Sequence, residues 1–230
     1  MRYRGVLGTL IRPRGEGIKY EFAAIDGTIV QEPGVDPLII VAVVKGVQEG
    51  LRTVIYGFQF HYETCYSCEP AKLMEELEFS LAEERGEEMV FLDRSLDMKR
   101  DLKREVIAVA KDFVGKEAFM DYSEPPYLVP LDADVRSAVF QFYPGTGPFL
   151  VQTNSDLTWS EIAEILFVTS HHAVPEALGY VYPLYLADKA VKYEWGKVDP
   201  AMRYFSMHSK SYRAMRSVIE RRRLLGRREL

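Results

Sequence analysis

The sequence predicts an α/β protein built on a mixed sheet. Three observations predict it. Three strand-like runs follow one another near the N-terminus, an acid-rich amphipathic helix comes next, and short buried strands then give way to helices toward the C-terminus. The chain has 230 residues, which fits one domain, 1–230, with a basic helical extension over 199–230. Hydrophobic residues make up 47%, enough for a sizeable core and too many for a disordered chain.

The elements read in order as follows. Residues 1–17 carry several arginines and glycines and form a lead-in with little core of its own. Strands are predicted over 20–30, 38–47 and 51–62, the third rich in β-branched and aromatic residues. Gly46 to Gly50 suits a hairpin, so the three strands form an antiparallel meander. A helix spans Glu69 to Glu84. Pro70 lies in its first turn, Leu73, Met74, Leu77 and Leu81 share one face, and Gly86 ends it. A strand over 88–93 follows. Met98 to Arg104 reads helical, and 105–110 could continue that helix or form a buried strand. Pro125, Pro126 and Pro130 mark a loop. Strands over 135–143 and 148–153 flank a Pro-Gly-Thr-Gly turn. A helix over 158–170 can be capped by Thr158 or Asn154, another starts near Pro183, and the last spans roughly 199–225.

The longest apolar stretch, Leu38 to Val44, is strand-sized and too short for a membrane span. No basic-then-apolar leader is evident, so a cytoplasmic location and no membrane partner are expected. The net charge of −5 excludes a protein that coats nucleic acid by bulk charge. It is compatible with a nuclease, whose metal-binding carboxylates add negative charge. Cys65 and Cys68 form a lone C-x-x-C without the second pair a zinc site needs. A turn with two thiols is the plain reading, with a disulfide or a redox role left open.

Asp26 and Asp93 stand out as candidate metal ligands. Each follows an apolar strand-like run, where a carboxylate is costly to desolvate unless a cation or donor meets it. Among the helix acids, Glu78 borders the apolar face and is the preferred third ligand, with Glu76 in reserve. The order βββ-α-β-(α)-β, with acids on the first strand, the helix and the fourth strand, is the layout of the RNase H-like fold. Hard divalent cations sharing one phosphate require carboxylate oxygens converging from different elements, and that sheet supplies them.

The Ile25-Asp26-Gly27-Thr28 strand, the Leu92-Asp93-Arg94-Ser95-Leu96 strand after a Glu-bearing helix, and the Gly179-Tyr180-Val181-Tyr182-Pro183-Leu184 helix start leading to Ala187-Asp188 together resemble the NurA nuclease family. The resemblance spans roughly 18–195. It implies an RNase H-like core, Mn²⁺ (or Mg²⁺) as cofactor, DNA as substrate in end processing for repair and recombination, a homodimer, and a HerA-type hexameric ATPase as partner. It also implies Asp26 and Asp93 as metal ligands, Glu78 as the helix acid and Tyr180 as the site tyrosine. Asp188 stands where many members have a histidine ligand, and carboxylate is an acceptable exchange for Mn²⁺ or Mg²⁺. Arg94 stands where the family often has glycine. The resemblance favours a strand over 105–110 and places Lys111 near the site, in reach of phosphate. Arg136 is a second candidate for the nucleic-acid backbone. A non-catalytic scaffold or DNA-binding subunit on the same fold is the rival reading, motivated by Asp188 and by a shortened segment after Asp93.

Overall fold

The computed structural model describes residues 8–96, 102–131 and 136–209. Eight strands form one mixed sheet: β1 (Lys19–Val30), β2 (Leu38–Glu49), β3 (Arg52–Thr64), β4 (Met89–Leu92), β5 (Ile107–Ala110), β6 (Tyr127–Leu131), β7 (Ser137–Gln141) and β8 (Phe149–Thr153). Their order across the sheet is β3-β2-β1-β4-β5-β8-β7-β6. β1, β2 and β3 are antiparallel, as the hairpin signals predict, with Gly50 in a left-handed turn conformation at φ 58° between β2 and β3. β4 then pairs parallel to β1, and β5 parallel to β4. β8, β7 and β6 complete the sheet in antiparallel fashion.

Helices cover both faces because the central strands are apolar on both. Helix α1 (Pro70–Glu83) packs Phe79, Leu81 and Ala82 on Ala23, Ile25, Val41, Val43, Val90 and Leu92. Helices α2 (Trp159–Ser170) and α3 (Tyr182–His208) pack on the opposite side, where Ile162, Leu166, Leu184 and Ala187 meet Phe22, Ala24, Phe91, Ile107 and Val109. Strand alternation therefore sends odd-numbered residues of β1 toward α1 and even-numbered ones toward α3. Among the described residues no helix is long and apolar enough to cross a membrane.

The capping expectation for α2 resolves in favour of Thr158. Its hydroxyl accepts from the Glu161 N–H, and the Glu161 carboxylate accepts from the Thr158 N–H at 2.7 Å. Residues 107–110 form a strand, as the family resemblance favours. Two expectations need correction. The proline-marked loop contains strand β6, with Pro130 inside it. β6 is the last strand of the sheet, so Pro130 has no interior ladder to interrupt. The lead-in, expected to have little core of its own, is tied to β6 by backbone: the Gly8 N–H donates to the Pro130 carbonyl at 2.9 Å, and Ile11 and Leu128 exchange bonds of 2.8 and 2.9 Å. Finally, the helix expected near Pro183 and the one expected from 199 are a single helix that passes through Pro200. It is pinned there from outside, by Ser206 Oγ donating to the Pro33 carbonyl at 2.6 Å and by Arg203 bridging Asp199 and Glu32 at 2.9 and 3.3 Å. Tertiary contact thus outweighs the hydrogen bond that proline forfeits. Of the helical reading over 98–104, residues 98–101 lie outside the described residues and 102–104 are not helical; the basic tail over 210–230 also lies outside them. Cys65 and Cys68 are joined as a disulfide, Cys65 buried at the end of the β3 hairpin layer.

Candidate active site

The parallel pairing of β1 with β4 creates the site. Ile25 of β1 is in register with Leu92 of β4, and the Asp93 N–H donates to the Ile25 carbonyl at 3.2 Å. Asp26 and Asp93 therefore sit side by side, one residue beyond that pair. β1 runs through Asp26 and on to Val30, in keeping with the strand expected over 20–30. Asp188 comes from α3, and Glu78 from α1. Asp26 feels Asp93, Glu78 and Asp188 as neighbouring charges.

Gly27 explains how Glu78 gets there. A Cβ at position 27 would lie 2.5 Å from Glu78 Oε1 and 2.9 Å from Met74 Cγ. Only glycine lets α1 approach the strand so closely. Glu76, the reserve candidate, is an outward residue 3.9 Å from Lys72.

Cations answer most of these acids. Lys111 Nζ lies 2.6 Å from Asp93 and Lys192 Nζ 2.7 Å from Asp188. Arg94 holds Glu78 at 2.5 Å and Glu75 at 2.9 Å, with its guanidinium 5.0 Å from the Phe79 ring centre. Asp26 differs. It accepts from the Gly27 N–H at 2.8 Å, and among the described residues no cation pairs with it directly. Burial, then repulsion from Asp93, Glu78 and Asp188, pushes its carboxyl up from 3.8 to about 8. Burial raises Glu78 to about 7 even with Arg94 beside it.

Tyr180 completes the constellation. Its ring underlies the Lys111 ammonium at 4.5 Å, and its buried hydroxyl lies beside Asp93 without a hydrogen bond of full geometry. Burial, together with Asp93, Asp26 and Asp188, raises the phenol well above its usual range. A buried O–H among carboxylates keeps its proton and is placed to donate.

Of the sequence-predicted residues, the fold gathers Asp26, Glu78, Asp93, Asp188, Tyr180 and Lys111. Arg136 goes elsewhere: its two terminal nitrogens donate to the Ser155 and Leu157 carbonyls, and it stacks on Trp159 at 5.0 Å. Sequence reasoning passed over Lys192, although it lies one helical turn from Asp188, and it treated Gly27 as an ordinary turn residue. Among the described residues, no three His, Cys, Asp or Glu side chains stand close enough as placed to cage a metal ion.

The antiparallel β3-β2-β1 meander continued by parallel β4 and β5, with helices on both faces, places the chain in the RNase H-like fold class. Solved structures agree. Endonuclease V from Bacillus subtilis superposes with a TM-score of 0.55 at 14% identity, over 80% of this chain and 81% of that one. The NurA nuclease from Sulfolobus solfataricus gives 0.53 at 13%, over 82% and 85%. Endonuclease V from Ciona intestinalis, in complex with an inosine-containing DNA, gives 0.57 at 12%, over 82% and 92%. At such identities the likeness establishes the fold. No protein-family model and no curated protein sequence matches the chain.

Proposed function

We propose that the protein is a metal-dependent nuclease that hydrolyses phosphodiester bonds in DNA. The observation that carries this reading is the junction of Asp26, Asp93 and Asp188 around the buried Tyr180 hydroxyl. A buried carboxylate with no cation of its own is unfavourable in isolation and becomes favourable when a cation binds. The donors are all carboxylate oxygens, which suits a hard divalent ion such as Mn²⁺ or Mg²⁺. Asp26, Asp93 and Asp188 would hold it. A bound ion of this kind activates water at neutral pH and offsets charge on the departing oxygen.

The chain's own groups do the rest. Lys111 and Lys192 are exposed enough to turn from their carboxylates toward a phosphate. The Tyr180 hydroxyl donates to a phosphate or water oxygen that Asp93 alone cannot orient. The solved DNA-bound neighbour supports DNA as the polymer. The NurA-like motifs support Mn²⁺, action at DNA ends or on single strands during repair, a homodimeric unit and a HerA-type ATPase partner.

The test is cleavage of single-stranded DNA, duplex DNA and RNA of one sequence, with Mn²⁺ and with a chelator. DNA cleavage that needs the metal and disappears in Asp26→Asn and in Asp93→Asn is the expected result. Full cleavage in either variant overturns the mechanism. The lack of a ready-made cage favours one rival, a non-catalytic subunit on the same fold. Calorimetric titration separates the two, because a scaffold that has lost its site takes up no Mn²⁺.

A further inference from the structure

The three cations at the site are not equivalent. Lys111 and Lys192 have side chains 44% and 64% exposed, and each has one carboxylate partner. An exposed lysine pair of this kind is weak, screened and easily exchanged. The Arg94 side chain is only 18% exposed, and its Glu78 partner only 5%. Its guanidinium is fixed at three points: by Glu78, by Glu75 and by the face of Phe79. Arginine cannot shed its proton in a protein, and its planar fork loses little freedom in such a clamp.

Strand alternation adds a second distinction. Asp26 and Asp93 follow Ile25 and Leu92, which pack toward α1, so both acids point to the α3 side with Asp188 and Tyr180. Arg94, one residue later, turns back to the α1 side and meets Glu78 there. The acids therefore fall into two sets. One is met by exposed lysines and contains Asp26, which no cation among the described residues pairs directly. The other, Glu78 with Glu75, already contains a permanent cation.

We infer that the Arg94 guanidinium fills the place of a second cation beside Glu78, so that the cluster takes one divalent ion rather than two. The inference rests on the proposed metal-dependent reading and narrows it. Two-metal sites need carboxylates open on both sides of the shared phosphate. Here Glu78 offers one oxygen to Arg94 and lays the other against Gly27. The ion then belongs to Asp26, Asp93 and Asp188, and Arg94 is a positioning residue that supplies fixed positive charge on the α1 side.

Counting ions tests this. Mn²⁺ is titrated calorimetrically into the full chain, and Mn–Mn coupling is sought by electron paramagnetic resonance. The wild type is expected to take up a single ion with an uncoupled signal. Arg94→Gly is expected to admit a second ion with a coupled signal, and adding Glu78→Gln to that variant is expected to remove it again. Should Arg94→Gly fail to fold, Arg94→Met keeps an apolar stem over Phe79 without the charge and is expected to admit the second ion as well. Two ions in the wild type overturn the inference and leave the metal-dependent reading standing. A single ion in both Arg94 variants does the same. No ion in any of them overturns both.

Discussion

The two halves of the sheet use their charged residues in opposite ways. In the parallel half, β1, β4 and β5 bring Asp26, Asp93 and Lys111 to one edge of the strands, where burial and mutual repulsion leave Asp26 strained toward protonation. In the antiparallel half, Arg136 beside β7 is spent on backbone: it satisfies the Ser155 and Leu157 carbonyls and covers Trp159. Both residues look equally functional as letters. The difference lies in what the neighbours leave unsatisfied. Arg136 has its needs met, whereas Asp26 does not.

The largest expected effect comes from removing the unsatisfied group. Asp26→Asn should lower Mn²⁺-dependent DNA cleavage by at least about 100-fold, measured with the protein shown to be folded, since even supporting partners of a metal ligand are worth 10–100-fold. Arg136→Ala in the same assay should leave cleavage per folded molecule unchanged. A large loss there would erase the contrast between the two halves.

The next effect is on stability and has a definite sign. The folded-state carboxyl of Asp26 titrates near 8, above its ordinary 3.8. Between those values the folded protein keeps a proton that the unfolded chain has released, so metal-free wild type loses stability as pH rises and levels off above about 8. Asp26→Asn lacks this slope. In chelator, its melting advantage should be near zero at about pH 4 and grow to a few kcal/mol at about pH 8.5. A constant offset across that range would mean that Asp26 is not strained by burial.

Smaller effects test the supports on each side. Gly27→Ala forces Glu78 and Met74 aside and should cost roughly 1–3 kcal/mol in denaturant melts, with a loss of cleavage in the folded fraction. Arg136→Ala strands two carbonyls and should cost about 1–3 kcal/mol without that second consequence.

Much of this was legible in the sequence where a local pattern coincides with a tertiary need. The meander, α1 and the 158–170 helix each follow from periodicity or capping chemistry, and Glu78 follows from its place on the edge of an apolar stripe. The misreadings share a cause. Pro130 and Pro200 look like breaks because proline forfeits a hydrogen bond, yet an outermost strand and an externally pinned helix tolerate that forfeit. Lys192 drew no notice in the sequence, and Arg94 only as a departure from the family's glycine, until the fold showed which acids they face. The role of Gly27 depends on a helix that lies some fifty residues away in the chain, and no local pattern announces it.

The short pairing of Ile11 with Leu128, and of Gly8 with Pro130, has a consequence for assembly. It closes one lateral rim of the sheet with the chain's own lead-in. Among the described residues, the flank of β3 is then the rim left bare. Among the described residues, strand addition by another chain finds the β6 rim occupied and the β3 flank open.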